Sequence, residues 1–387
     1  MPRKRPGLAA YCSAASLCTS LVAWTTILRN HIGCVSITAT MTSNAPAVRR
    51  KRPADGDVGD KHKAFEQTAL TQVVLCDRQP QMARIDGHCF HTFTKLFRKP
   101  YDSRIANAMR ATAADLMKHF NATCAYTFSD EITLCFPALT GDVAGQCLAF
   151  KGKILKTATL MAGYASVRFV HHLRANVIAE HSAEPPASTA DAHQPTGAGA
   201  GAGAGAGDSA TSSADGVYAA SKPYEVVLAA LDDPQVYFDA RVFNVPSVAD
   251  AVENLVWRSS FDCRRNSVSG LARAVLPKSD IHGVGTQKLL AKLEDVGHSW
   301  RATPSHYRFG TFVKKARVMK QCLDRKTQKP VEVMRSTVKC AAFNLDTIET
   351  SSAAAREALL ADMAFTSHWS DDFVSRLKAV GSELVVL

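Results

Sequence analysis

An α+β fold, antiparallel strands backed by helices, is predicted by three observations. Met82–Asp86 reads as a strand that delivers a carboxylate to a turn. Ser129-Asp130-Glu131 does the same at the tip of a hairpin formed by Ala122–Phe128 and Ile132–Phe136. One amphipathic helix lies between them. Its apolar residues Ile105, Met109, Ala113, Leu116 and Phe120 recur at helical spacing after Ser103, which is suited to cap it.

The remaining elements follow in order. Lys151 to about Leu173 reads as a long helix. Phe238–Val245 alternates like a half-buried strand, and Ser247-Val248-Ala249-Asp250 is a capping signal for a helix to Ser260. A second helix follows Asp262. Val313–Leu323 and Val331–Cys340 flank a polar turn and form a predicted β-hairpin. Residues 346–387 read as a helical, Ala-rich tail. Trp257 is expected in the core.

Two segments stand outside this pattern. Residues 1–54 hold eight Lys/Arg and no acid, within a leader that extends to residue 65. Residues 1–40, basic, acid-free and rich in Ala, Ser and Thr, fit a mitochondrial transit peptide. The uncharged run Pro6–Leu28 also admits a weak membrane anchor. A third reading takes Met41 as the true start, with Arg49-Arg50-Lys51-Arg52 resembling a nuclear signal and the protein in the cytoplasm or nucleus. Residues 181–216 contain Pro185-Pro186 and a Gly/Ala repeat from Gly197 to Gly207, with little to bury, and are expected to be a disordered insertion. It separates a catalytic half, 66–180, from a second half, 217–345.

The formal net charge is +11, but beyond residue 54 it falls to +3. RNA binding would therefore have to come from local clusters of cations. Eleven cysteines without a C-x-x-C pair argue against a zinc ribbon or disulfide framework and for free thiols.

Strand ends carrying Asp86 and Asp130, separated by one helix, suit a two-metal site of the kind found in palm-type polymerases. Hard oxygens from different strands can hold two divalent cations roughly 4 Å apart. The Gly87 carbonyl is a further candidate ligand, and Glu131 would tune the site. The turn Gly87–His91 would offer backbone N–H groups to a triphosphate.

Arg84-Ile85-Asp86-Gly87-His88-Cys89-Phe90-His91, Lys99-Pro100-Tyr101-Asp102-Ser103-Arg104 and Ser129-Asp130-Glu131 together resemble the catalytic half of the tRNA-histidine guanylyltransferase superfamily. The second half is similar in order: Phe238-Asp239-Ala240-Arg241-Val242, Trp257-Arg258 with Asp262, and Tyr307-Arg308-Phe309-Gly310-Thr311, which resembles a late strand of that family. Two departures are Phe128, where the family has Gln, and the run Arg264-Arg265-Asn266-Ser267-Val268-Ser269. The latter is similar to the bacterial-type guanylyltransferase-like branch rather than to enzymes that strictly add G to tRNA-histidine.

The resemblance implies a ferredoxin-like palm and 3′-to-5′ addition of GTP, or a template-matched NTP, to the 5′ end of tRNA after activation by ATP. It implies two Mg2+ per site held by Asp86, Gly87 and Asp130. His88, Cys89, Phe90, His91 and Ser129 would then line the nucleotide. Lys99, Asp102, Lys153 and Lys156 would lie near phosphates and the activated 5′ end, and Lys153 and Lys156 would share a helix face. Arg264, Arg265, Asn266 and Ser267 would form the branch-specific motif. A homotetramer and no membrane association are also implied. The rival readings are a nucleotidyl cyclase on the same palm, strict addition of G, and an inactive tRNA-binding protein.

Overall fold

The computed structural model describes residues 73–139, 148–183, 221–347, 350, 352–380, 382 and 385–386. The leader, and the insertion from residue 184 on, lie outside the described residues. All described residues belong to one unit, His62–Leu387.

The chain opens with β1 (Gln81–His88), a single helical turn (Phe90–Phe93) and α1 (Ser103–His119). The hairpin β2 (Cys124–Phe128) and β3 (Glu131–Phe136) follows, then α2 (Ile154–Ala183), α3 (Tyr224–Asp232) and β4 (Tyr237–Asn244). These strands take the order β4-β1-β3-β2, all pairs antiparallel. That is the βαββαβ arrangement of a ferredoxin-like palm.

Helix α4 (Val248–Trp257) runs through one π-helical turn (Arg258–Cys263) into α5 (Arg264–Val275), and α6 (Thr286–Asp295) packs beside it. Strands β5 (Thr311–Leu323) and β6 (Pro330–Ala341) extend the sheet from β2. The C-terminal segment supplies α7 (Ala353–Phe365), α8 (Asp371–Ala379) and a short strand β7 (Val385–Val386) paired to β6.

The sheet buries both faces. On one, Ile85, Ile132, Leu134 and Phe238 pack against Met109 and Leu116 of α1 and Phe169 and Leu173 of α2. On the other, Met82, Tyr126 and Phe312 meet Leu255 of α4, Met363 of α7 and Phe373 of α8. Each such side chain contributes about 1.5–3 kcal/mol when taken from water. The C-terminal helices are thus part of the core.

Several local expectations need correction. Asp102, not Ser103, caps α1: its carboxylate accepts from the Arg104 N–H, and Ser103 falls within the first turn. Helix α2 starts at Ile154 because Phe150, Lys151 and Gly152 all have positive φ. It continues past Leu173 to Ala183, so residues 181–183 are helical, and His181 stacks on Tyr224 with centroids 3.9 Å apart. Residues Ser305–Phe309 form a helical turn rather than a strand. Gly310, at φ 76°, makes the corner before β5, where a Cβ would lie 2.4 Å from the Tyr126 hydroxyl. The Ser247 cap is as expected, its hydroxyl accepting from the Asp250 N–H. The described cysteines are free, as expected.

Candidate active site

Antiparallel pairing places Asp86 directly opposite Glu131 of β3 on one side and Asp239 of β4 on the other. Residues paired in this way project from the same sheet face. Asp130 stands at the hairpin tip next to this row. Ser129 has φ 50°, the left-handed backbone that a two-residue hairpin loop needs at its first position. Its hydroxyl donates to Asp130 Oδ1 at 2.8 Å. The Gly87 N–H donates to the Asp130 carbonyl at 3.0 Å, so the two strand ends are locked together. A Cβ on Gly87 would come within 2.3 Å of the Phe90 ring and 3.0 Å of Asp130 Cβ. Only glycine fits there.

The charges form an alternating chain. Arg84 donates to Asp86 at 2.9 Å and to Glu131 at 2.5 Å. Arg258 donates to the same Glu131 oxygen at 2.9 Å and to Asp262 at 3.1 Å, and Arg265 reaches Asp262 at 2.5 Å. Burial pushes the Glu131 carboxyl up to about 7, against the guanidiniums of Arg258 and Arg84 that hold it down. Its other oxygen, Oε1, has no hydrogen-bond partner among the described residues. Burial also raises Asp130, and the nearby Asp86 charge adds to the effect. Glu131 therefore acts as the buried anchor of two arginines beneath the aspartates.

Asp130 and Ser129 open onto a cavity of about 510 Å³. Its wall carries Arg98, Lys99, Arg110 and Arg273 against only two acids, Asp102 and Asp130. Lys99 donates to Thr94 Oγ1 at 3.0 Å, and burial lowers its pKa. His306 is held down to about 4 by burial and by Arg110, so its imidazole is neutral near pH 7. Tyr101 and Tyr307 stack at 4.3 Å along the same wall. Arg98 also pairs with Glu180 at 2.7 Å, and the recess as a whole, part apolar and lined by more cations than acids, is suited to a base and its phosphates.

The expected site residues fall into three groups. Phe90, His91, Lys99, Asp102, Ser129, Asp130, Asn266 and Ser267 all line the cavity. Phe90 is itself buried among Phe93, Phe169 and Phe238. Asp86, Gly87 and His88 end β1 and Cys89 follows; none of the four lines the cavity, but the Gly87 N–H bonds Asp130, which does, and His88 stacks on Tyr237. Lys153 and Lys156 do not line it. The helix-face argument for that pair fails, because Lys153 precedes α2 with extended backbone, and Lys156 rests over the Phe150 ring.

Asp102 has both carboxylate oxygens occupied, by Arg104 and by the Arg98 N–H. It positions α1 and these arginines rather than meeting a phosphate. Arg264 lies over the Trp300 ring and Arg265 is paired to Asp262. Trp257, expected in the core, is 45% exposed with Arg258 over its ring.

Sequence reasoning missed Arg98, Arg110 and Arg273, and Tyr101 and Tyr307 as a stacked pair. Nothing in their spacing announces them, since they converge from four separate segments. Arg84 and Arg258 stood within the quoted motifs, which was the available signal.

Two carboxylates and a glycine carbonyl are hard oxygens of the right kind for Mg2+. Among the described residues no group of three or more His, Cys, Asp or Glu converges to hold an ion alone. Magnesium takes the rest of its six oxygens from water and phosphate. The residues therefore fit an ion that arrives with a triphosphate.

Residues 59–193 match the family model described as tRNAHis guanylyltransferase. An uncharacterized protein of Acanthamoeba polyphaga mimivirus is 26% identical over 268 residues, covering 67% of this chain and 77% of the relative. Among solved structures, a bacterial tRNA(His) guanylyltransferase-like protein in complex with ATP is 20% identical, with 71% of this chain and 91% of that chain covered and a TM-score of 0.48. The tRNA(His) guanylyltransferase of Saccharomyces cerevisiae is 18% identical, with 70% and 94% covered and a TM-score of 0.42.

Proposed function

We propose, for a chain whose residues 59–193 belong to the tRNAHis guanylyltransferase family, that it adds nucleotides to the 5′ end of tRNA in the 3′-to-5′ direction. ATP would activate the 5′ monophosphate by adenylylation. The 3′-hydroxyl of GTP, or of an NTP matched to the opposite strand, would then displace AMP. One observation supports this reading: the Gly87–Asp130 backbone bond holds the strand end that carries Asp86 against Asp130, which lines the basic cavity.

Two Mg2+ held by Asp86, Asp130 and the Gly87 carbonyl would activate the attacking oxygen and neutralise phosphate charge. Arg98, Lys99, Arg110 and Arg273 would pair the triphosphate. Ser129 orients Asp130, and Arg84, itself held by Glu131, orients Asp86. The stacked Tyr101–Tyr307 wall would receive the base.

Asp86→Ala or Asp130→Ala should lower addition on the order of 1000-fold or more at saturating magnesium. The assay uses purified protein, ATP, all four NTPs and either intact tRNA-histidine or 5′-truncated tRNA, with the products sequenced. Near-normal turnover in either variant removes the assignment. A higher kcat/KM for truncated tRNA, with template-matched bases, supports the repair branch. Of the branch motif, Asn266 and Ser267 line the cavity, and Asn266 would be the side chain to act there, since the Ser267 hydroxyl accepts from Trp300. Exclusive G addition to intact tRNA-histidine replaces that branch with the strict activity.

Mitochondrial import directed by residues 1–40 and assembly as a homotetramer belong to the same proposal. A fluorescent fusion of residues 1–60 that stays cytosolic contradicts the first. A monomer by sedimentation contradicts the second. Among the described residues no helix is long and apolar enough to cross a membrane.

A further inference from the structure

The pairing of β5 with β6 runs from Phe312↔Ala341 to Leu323↔Pro330. Strand β2 pairs β5 only at Thr311, Phe312 and Val313, and β7 pairs β6 only at Lys339 and Cys340. Beyond Ala316↔Thr337 the hairpin has no strand on either side among the described residues. None of the residues 317–336 is buried. The free part of β5, Arg317–Leu323, is about 23 Å long at the usual strand rise.

This ribbon holds six cations, Arg317, Lys320, Arg325, Lys326, Lys329 and Arg335, and two acids, Asp324 and Glu332. Its net +4 exceeds the +3 of the whole chain beyond residue 54. Asp324 is committed to the turn, accepting from the Lys326 and Thr327 N–H groups at 2.7 and 2.8 Å. No ion pair joins any of the six cations to an acid among the described residues.

Charges on a bare edge, lysines especially, protect against strand-to-strand aggregation, but of the cations on the two strands, Arg317, Lys320 and Arg335, only one is a lysine. Here one sign dominates, and the register puts Lys320 and Arg335 on one face as diagonal neighbours. Like charges so placed weaken a sheet unless a counter-charge sits between them. An isolated two-stranded ribbon has little stability to spare.

We propose that this ribbon is a docking arm for the phosphate backbone of an RNA duplex, held outside the cavity and indifferent to base sequence. The inference rests on the tRNA reading above, and it names where on this chain the body of the RNA is held. The arm has the features backbone recognition needs: several exposed cations, small width and no aromatic row for stacking single-stranded bases.

The test measures binding of the full chain to tRNA and to a short RNA duplex across salt concentrations. Two variants are compared with wild type, Arg325→Gln/Lys326→Gln/Lys329→Gln and Lys320→Gln/Arg335→Gln. Each released phosphate contact changes the log–log salt slope by roughly 0.7–0.9. The triple variant should flatten the slope by about 2 and weaken binding on the order of 10-fold or more at low salt. KM for ATP and GTP, and kcat at saturating tRNA, should not move. Melting curves confirm that both variants fold.

Unchanged salt slopes in both variants, with wild type binding tRNA, overturn the arm and leave the function intact. A wild type that binds no tRNA overturns the function itself. Loss of binding to anionic vesicles, or a drop in oligomeric mass, with tRNA affinity unchanged would reassign the ribbon to a lipid surface or to a second copy of this chain.

Discussion

Gly87 decides more than any ionisable residue how close the two aspartates come. The Phe90 ring covers the place a Cβ would take, and the Gly87 N–H holds the Asp130 turn. Gly87→Ala must therefore displace Phe90 or the hairpin tip. We expect a loss of about 1–3 kcal/mol and a fall in kcat larger than the rise in KM for NTP. A Gly87→Ala/Phe90→Leu double variant should recover part of both, read as a coupling in a double-mutant cycle. Strict additivity would show that Phe90 does not enforce the glycine. Asp86, Asp130 and this glycine were legible in the sequence because one short motif carries each. Arg98, Arg110 and Arg273 were not, since a lone arginine on a helix or loop looks the same whether it faces solvent or a cavity.

At the scale of elements, α1 depends on Asp102. Its carboxylate caps the helix, binds Arg104 twice and accepts from the Arg98 N–H. Burial works against its charge, but these hydrogen bonds and the Arg104 guanidinium leave its pKa below the ordinary carboxyl value. A depressed carboxyl stabilises the fold above its unfolded-state pKa, near 4, and that contribution fades as pH falls through its folded value. Asp102→Ala should cost about 2–4 kcal/mol at neutral pH, lowering Tm by roughly 4–12 °C. The Tm gap between wild type and Asp102→Asn should narrow as the pH is lowered from about 6 to about 3. A gap constant with pH would show that the carboxylate charge is not what holds α1.

Across the whole molecule, α2 and α3 are fastened independently of the chain that joins them. His181 stacks on Tyr224, and both Ser221 and Lys222 bond the Leu96 carbonyl. Deleting residues 187–214 should therefore shift Tm by less than about 3 °C, because loop length enters stability only logarithmically. A larger fall would mean that the segment packs. Local chemistry determined the strands, most helices and the two acidic turns, because hydrophobic period and turn residues act within a few positions. It did not determine the corner at Gly310, the length of α2 or the exposure of Trp257. Each of those depends on a distant partner: Tyr126 against Gly310, Tyr224 against His181, Glu131 drawing Arg258 inward beside Trp257. The same holds for function. Sequence placed a carboxylate at each of two strand ends. Only the antiparallel register β4-β1-β3 set Asp86 between Asp239 and Glu131, and only packing of three segments gathered the arginines that make the cavity basic.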